Sequence, residues 1–94
     1  MIKEEQKELF AQAVEIARRI VAGEVAPNAG CAEIGRINDE LIWPEGLGAL
    51  GLLAHEQTGH EHLGMTAEKC VPDIMEEARK LVETHSQQAP GTRR

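Results

Sequence analysis

Aromatic residues are almost missing from this chain: Phe10 and Trp43 stand alone, and there is no tyrosine. A surface that stacks nucleic-acid bases needs several rings, so the composition argues against one. A net charge of −6 further opposes contact with a phosphate backbone. The core must then be built from leucine, isoleucine, valine, alanine and methionine, which suits helices better than sheets. We expect no nucleic-acid partner.

Long apolar runs are missing too. No stretch approaches the roughly 20 apolar residues that a membrane span requires. The chain opens with MIKEEQKE, which is charged and has no apolar run behind it, as a secretory signal would have. We therefore expect a cytoplasmic protein without a membrane partner.

Cysteine and serine, the commonest nucleophiles, are scarce. Ser86 is the only serine, and Cys31 and Cys70 are too few for a disulfide framework, so both are expected to be reduced thiols. Cys31 falls on the apolar stripe of a predicted helix and is most simply a small core residue. Cys70 stands near a predicted helix start, where the helix dipole could lower the pKa of a thiol. Their redox role is left open, and we expect no enzyme.

Apolar residues recur at steps of three and four along most of the chain, which predicts helices. They cover residues 3–22, residues 27–41, a third helix opened by Pro44, and residues 72–85. Gly23 should end the first helix, and Pro72 should begin the last, because proline breaks a helix interior. Residues 58–65 form a loop in this interpretation. The prediction is an all-α protein, a compact four-helix bundle or orthogonal array, with one domain over residues 1–85 and a disordered tail over 86–94.

A glycine pattern, G-x-G-x-x-G, occurs at Gly46, Gly48 and Gly51. In a dinucleotide site such glycines follow a strand and let the backbone approach a pyrophosphate. Here they follow a helix end and Trp43-Pro44, and the chain is too short for the parallel sheet of that fold. We interpret them instead as a helix that packs closely against its neighbour.

The densest chemistry is the segment HEQTGHEH, with His55, His60 and His62. Imidazole and carboxylate groups bind first-row metals, so these three histidines are the candidate ligands of a divalent metal. The zinc-protease pattern H-E-x-x-H is not met, because one residue too many separates His55 from His60. The simpler interpretation is a solvated polar loop, and no cofactor is expected.

Acidic residues gather in the middle of the chain, around the lone Trp43. Between residues 33 and 61, six acidic residues are opposed by Arg36 alone. An aromatic ring among carboxylates is typical of a surface that anchors and steers a basic partner. The candidate partner-binding residues are Asp39, Glu40, Trp43 and Glu45. The alternative, narrowly favoured, makes Trp43 a core residue and the acids a solvated rim.

Two resemblances accompany this pattern. Residues 17–31, ARRIVAGEVAPNAGC, resemble the helix–Gly-Glu–turn–helix opening of small bacterial domains of unknown function. In size, acidity and expected helix number, the whole chain is similar to the immunity proteins that neutralise bacterial nuclease toxins. That similarity implies an inhibitor whose acidic surface around Asp39, Glu40, Trp43 and Glu45 occupies a basic toxin.

These observations favour a small acidic protein-binding module, with an immunity-like or antitoxin-like inhibitor as its most specific form. Two alternatives stay open. One is a small metal-binding protein that uses the segment from His55 to His62. The other is a homodimer that buries an apolar stripe on self-association, because a core of this size is often marginal.

Overall fold

Four α-helices form around one core in the computed structural model, which describes residues 4–57 and 66–88, with the backbone alone at 86–88. They are α1 (Glu4–Val21), α2 (Pro27–Glu40), α3 (Gly48–Glu56) and α4 (Ala67–Gln88). The predicted all-α class is therefore confirmed. Within these residues no helix combines the length and the apolar character that crossing a bilayer requires.

The first helix ends as predicted, at a glycine. Gly23 holds a left-handed φ of +81°, and its N–H bonds back to the carbonyl of Ile20. The N–H of Glu24 reaches the carbonyl of Arg19 at 2.8 Å. This pair of bonds is the Schellman motif, which satisfies carbonyls that a helix end leaves free. Pro27 then takes the first turn of α2, where its missing N–H costs nothing.

The third helix begins later than predicted. Residues 44–47 form a turn, closed by a 3.3 Å bond from the N–H of Leu47 to the carbonyl of Pro44, and α3 starts at Gly48. Gly46 explains the delay, because its φ of +103° is incompatible with a helix. The turn also brings the Gly46 backbone against the ring of Phe10 in α1.

Pro72 does not begin the last helix, so that prediction was wrong. The helix starts at Ala67, with Thr66 as its cap: the Thr66 hydroxyl accepts the N–H of Lys69 at 3.2 Å. Pro72 lies inside α4 and leaves the carbonyl of Glu68 without its helical donor. Both residues are exposed, so water can hydrate that carbonyl.

The far end of α4 also passes its predicted limit. The helix runs to Gln88, which takes it into the segment interpreted as a disordered tail. Residues 89–94 lie outside the described part of the chain.

The core is aliphatic, as the lack of aromatics predicts. Each helix contributes a buried stripe; in α4 it continues through Pro72 as Cys70, Ile74, Ala78 and Leu81. The third helix packs on α2 and α4, and among the described residues it makes no close backbone approach to α1.

The α2–α3 contact is unusually close and depends on two glycines. A methyl group added at Gly35 of α2 would collide with the Cβ of Ala54, and one added at Gly51 of α3 would collide with the amide of Asn38. Asn38 is fully buried, and its side chain has no hydrogen-bond partner among the described residues. We call this contact the α2–α3 seam. It confirms the close-packing interpretation for Gly51.

Candidate functional site

Two apolar residues just beyond the end of α2 have a strained backbone. Ile42 and Trp43 have φ angles of 59° and 53°, in the left-handed region. The N–H of Ile42 bonds to the carbonyl of Asp39, and the N–H of Trp43 bonds to that of Asn38 at 2.8 Å. This is again a Schellman motif, but with isoleucine where glycine is usual. For a β-branched residue such a φ is an outlier.

Both strained side chains point outward. Ile42 is 83% exposed and Trp43 is 44% exposed. The favoured prediction, that Trp43 belongs to the core, is therefore wrong.

Neighbouring polar groups fix the orientation of the Trp43 ring. Its indole Nε1–H donates to Oδ1 of Asp39 at 3.1 Å, one turn earlier in α2. The ring of His55 in α3 lies parallel to it, with 6.3 Å between ring centroids and 5° between planes. The His55 Nε2 lies 3.9 Å from Oδ2 of the same carboxylate. Asp39 and His55 thus hold the ring in one orientation against α3.

Leu52 extends this surface. Gly48, Leu52 and His55 follow at steps of four and three in α3, so they lie along one face. Trp43 lies over Gly48, where an added Cβ would be 3.8 Å from its Cε3, and it stacks with His55. Leu52 lies between them on the same helix face and is 55% exposed. We name Asp39, Ile42, Trp43, Leu52 and His55 the Trp43 corner.

The structure brings only two of the four predicted partner-binding residues into direct contact. Asp39 bonds to Trp43, as described above. Glu40 turns back along α2 and pairs with Arg36 at 3.2 Å. Glu45 lines a separate cavity of about 480 Å³, together with Gln6, Lys7, Phe10, Leu41, Pro44 and His85. The acids predicted as one rim are therefore divided between different surfaces.

Three members of the corner were not predicted as partner-binding residues. Nothing in the sequence predicts a left-handed backbone at Ile42, because the residue that usually adopts it at a helix end is glycine. Leu52 belongs to α3, whose buried stripe uses Leu50 and Leu53. His55 was considered only as a metal ligand.

Most of the predicted metal site falls outside the residues that the structure describes. His60 and His62 lie outside the described residues. His55 is engaged with Trp43 and Asp39. Across the part of the chain that the structure covers, no three His, Cys, Asp or Glu side chains cluster in a way that could hold a metal ion.

Both cysteines are buried free thiols. Burial raises the pKa of Cys31 to about 12, with a smaller contribution from Cys70, and its Sγ lies 3.4 Å from the carbonyl oxygen of Leu50. The pKa of Cys70 is also raised, by burial first and then by the charges of Glu56 and Asp73. The expected lowering at a helix start is wrong: Cys70 does lie in the first turn of α4, but burial on the core face and the charges of Glu56 and Asp73 raise its pKa instead. Cys31 is confirmed as a core residue.

At the start of α2, away from Trp43, a cluster of hydrogen-bonded polar groups joins three helices; we call it the polar clamp. The amide of Asn28, in the first turn of α2, donates at 2.8 Å both to Oε1 of Gln57 and to the carbonyl of Ala67. Gln57, 5% exposed, returns a bond to the Asn28 carbonyl at 2.9 Å. One side chain thus connects the start of α2, the end of α3 and the start of α4.

Comparison with family models, with curated proteins and with solved structures finds no match to this chain. The case for function therefore rests on the geometry of the Trp43 corner.

Proposed function

We propose that this protein is a binding module for another protein, and that the Trp43 corner is the docking surface. The observation that carries the proposal is Ile42, a β-branched side chain that is 83% exposed and held at a φ of 59°. A left-handed conformation costs such a residue roughly 1–2 kcal/mol. Strain of this kind is concentrated at functional sites, where the surrounding structure maintains it.

The chain itself offers the unstrained alternative. It ends α1 with Gly23 in the same motif, so a glycine end is compatible with this fold. The strained end of α2 places two large apolar side chains at the surface, and Leu52 of α3 is exposed as well. Exposed isoleucine, tryptophan and leucine side chains together give a partner an apolar anchor.

The electrostatic part of the proposal is a basic partner. The net charge is −6, and the corner itself presents the carboxylate of Asp39 beside the exposed ring. Such a field speeds encounter with a basic surface. An immunity-like or antitoxin-like inhibitor is the most specific form of this function. The proposal assigns no catalytic step to the chain.

The test compares Ile42→Gly with a matched control, Val21→Ser. Val21 is another exposed aliphatic residue, at the end of α1 and 39% exposed. Proteins captured by the wild type are identified and purified, and their affinities for the wild type and for both variants are measured by calorimetry. We expect Ile42→Gly to weaken binding at least about tenfold and Val21→Ser less than about twofold.

Two outcomes overturn the proposal. One is a purified partner that binds Ile42→Gly as tightly as the wild type. The other is seen by sedimentation of the protein alone: a dimer that Ile42→Gly dissociates would make a second copy of this chain the occupant of the corner.

A further inference from the structure

Trp43 and Asp39 together have the chemistry of a cation receptor. The Asp39 carboxylate lies at the edge of the indole, 3.1 Å from Nε1. An aromatic face attracts a cation placed within about 6 Å of its centre, and tryptophan does so most strongly. A carboxylate beside the ring adds a hydrogen-bond acceptor of opposite charge. A cation above the ring would thus meet both attractions at once.

The described residues leave this receptor open. Asp39 Oδ1 accepts the indole N–H, while Oδ2 accepts no hydrogen bond from the described part of the chain; the Nε2 of His55 is 3.9 Å away. Arg36, the only basic residue of α2, is held by Glu33 at 2.6 Å and by Glu40 at 3.2 Å. The ring of His55 lies parallel to the indole with 6.3 Å between centroids, and 44% of Trp43 stays exposed. A cation from outside can therefore reach the ring and Oδ2.

We propose that the Trp43 corner receives an arginine side chain of the partner, which stacks on the exposed face of Trp43 and donates to Oδ2 of Asp39. This inference rests on the proposed function and specifies the group that the partner presents. Arginine fits better than lysine, because a planar guanidinium can lie flat on a ring while its N–H groups reach a carboxylate at the ring edge. An ammonium group is a compact point charge and cannot do both equally well.

The lone tryptophan makes the test direct, since all indole fluorescence of this protein comes from Trp43. The probes are three peptides of equal length: nona-arginine, nona-lysine and nona-citrulline, the last being a neutral analogue of nona-arginine. Affinity is measured by calorimetry, and contact with the ring is followed by Trp43 emission. We expect nona-arginine to bind at least about fivefold more tightly than nona-lysine and to change the emission. Nona-citrulline should do neither.

Two variants separate the receptor from the general acidic field. Asp39→Asn removes the proposed acceptor, and Glu24→Gln removes the same charge from an exposed residue beyond the opposite end of α2. We expect nona-arginine to lose about tenfold in affinity with Asp39→Asn and less than about twofold with Glu24→Gln.

Four results would overturn the inference: equal losses in the two variants, equal affinities for arginine and lysine peptides, unchanged Trp43 emission at saturation, or no binding of nona-arginine. None of them touches the proposed function, which is decided by the effect of Ile42→Gly on the natural partner. Loss of that dependence, with nona-arginine still bound at Asp39, would refute the protein-docking role alone.

Discussion

Gly23 and Ile42 occupy the same position, one residue beyond the C-caps of α1 and α2, with left-handed φ angles of 81° and 59°. In both motifs the N–H of the next residue, Glu24 or Trp43, bonds at 2.8 Å to the carbonyl five residues back. One helix end thus has the residue without a side chain, and the other has a β-branched side chain in the same backbone.

This pair gives a prediction about stability. Ile42→Gly should raise the free energy of unfolding by about 1 kcal/mol, because it relieves the left-handed strain and removes a side chain that is already exposed. The control, Gly23→Ala, should lower it by a similar amount, since it introduces that strain. Urea titrations followed by circular dichroism measure both. A destabilised Ile42→Gly protein would mean that the isoleucine contributes packing that outweighs its strain.

Trp43→Ala should leave a folded protein. The ring is 44% exposed, so truncation should cost about 1–2 kcal/mol, below the typical 3–5 kcal/mol for a buried large aromatic. Ile34→Ala, at a fully buried position of α2, should cost about 2–5 kcal/mol. Thermal unfolding of the two variants decides the matter. A Trp43→Ala protein less stable than Ile34→Ala would place the indole among the core residues.

Asn28→Ala should destabilise the protein by about 1–3 kcal/mol, because it leaves Oε1 of the buried Gln57 and the Ala67 carbonyl without their donor. A double-mutant cycle with Gln57→Leu tests the cause. If the clamp acts as a unit, the double variant should lose less than the sum of the single losses, since the partner of the missing donor is gone as well. Additive losses would show that the two side chains act independently.

Cys31 and Cys70 should resist alkylation in the native protein at pH 8. Both are buried, and burial raises the pKa of each thiol, so the reactive thiolate is rare as well as inaccessible. Mass spectrometry after iodoacetamide treatment should show labelling only when urea unfolds the chain. Rapid labelling of the folded protein at either cysteine would contradict the burial described here.

The carboxyl group of Glu15 should have an unusually low pKa. Arg18 and Arg19 bond to its carboxylate at 2.5 and 3.1 Å, and these bonds lower its pKa from 4.5 to about 2. Because the folded pKa lies below the unfolded one, the stabilisation is complete above pH 4.5 and is lost as the pH falls towards about 2. Carbon-13 NMR of the Glu15 carboxyl group measures the pKa directly. Arg18→Ala should raise it, whereas Lys80→Ala, on α4, should not.

The helices were predictable because burial of a stripe imposes its own spacing on the sequence. α1 and α2 fall within a residue of their predicted ends, since Gly23 and Pro27 add local signals of the same meaning. The prediction that Pro72 begins a helix failed because the cost of an interior proline depends on which carbonyl loses its hydrogen-bond donor. At Glu68 that carbonyl faces solvent, and the core stripe of α4 continues past it.

The corner was predictable only in part. The acidic residues near Trp43 are visible in the sequence, but its bond with Asp39 is not, because Trp43 lies beyond the end of α2 with a left-handed φ and helical spacing does not apply there. Its exposure is not visible in the sequence, because it depends on tertiary packing around the end of α2. Tertiary contacts of this kind leave no periodic signal.

The α2–α3 seam and the Trp43 corner differ in how readily their residues can be replaced. A side chain added at Gly35 would collide with the Cβ of Ala54, and one added at Gly51 would displace the amide of Asn38, so either substitution requires its neighbour to move. Ile42 and Leu52 are more than half exposed, so each can be replaced without a change in a neighbouring residue. Under the proposed function, exchanges at Ile42 and Leu52 would change which partner binds while the α2–α3 seam stays the same.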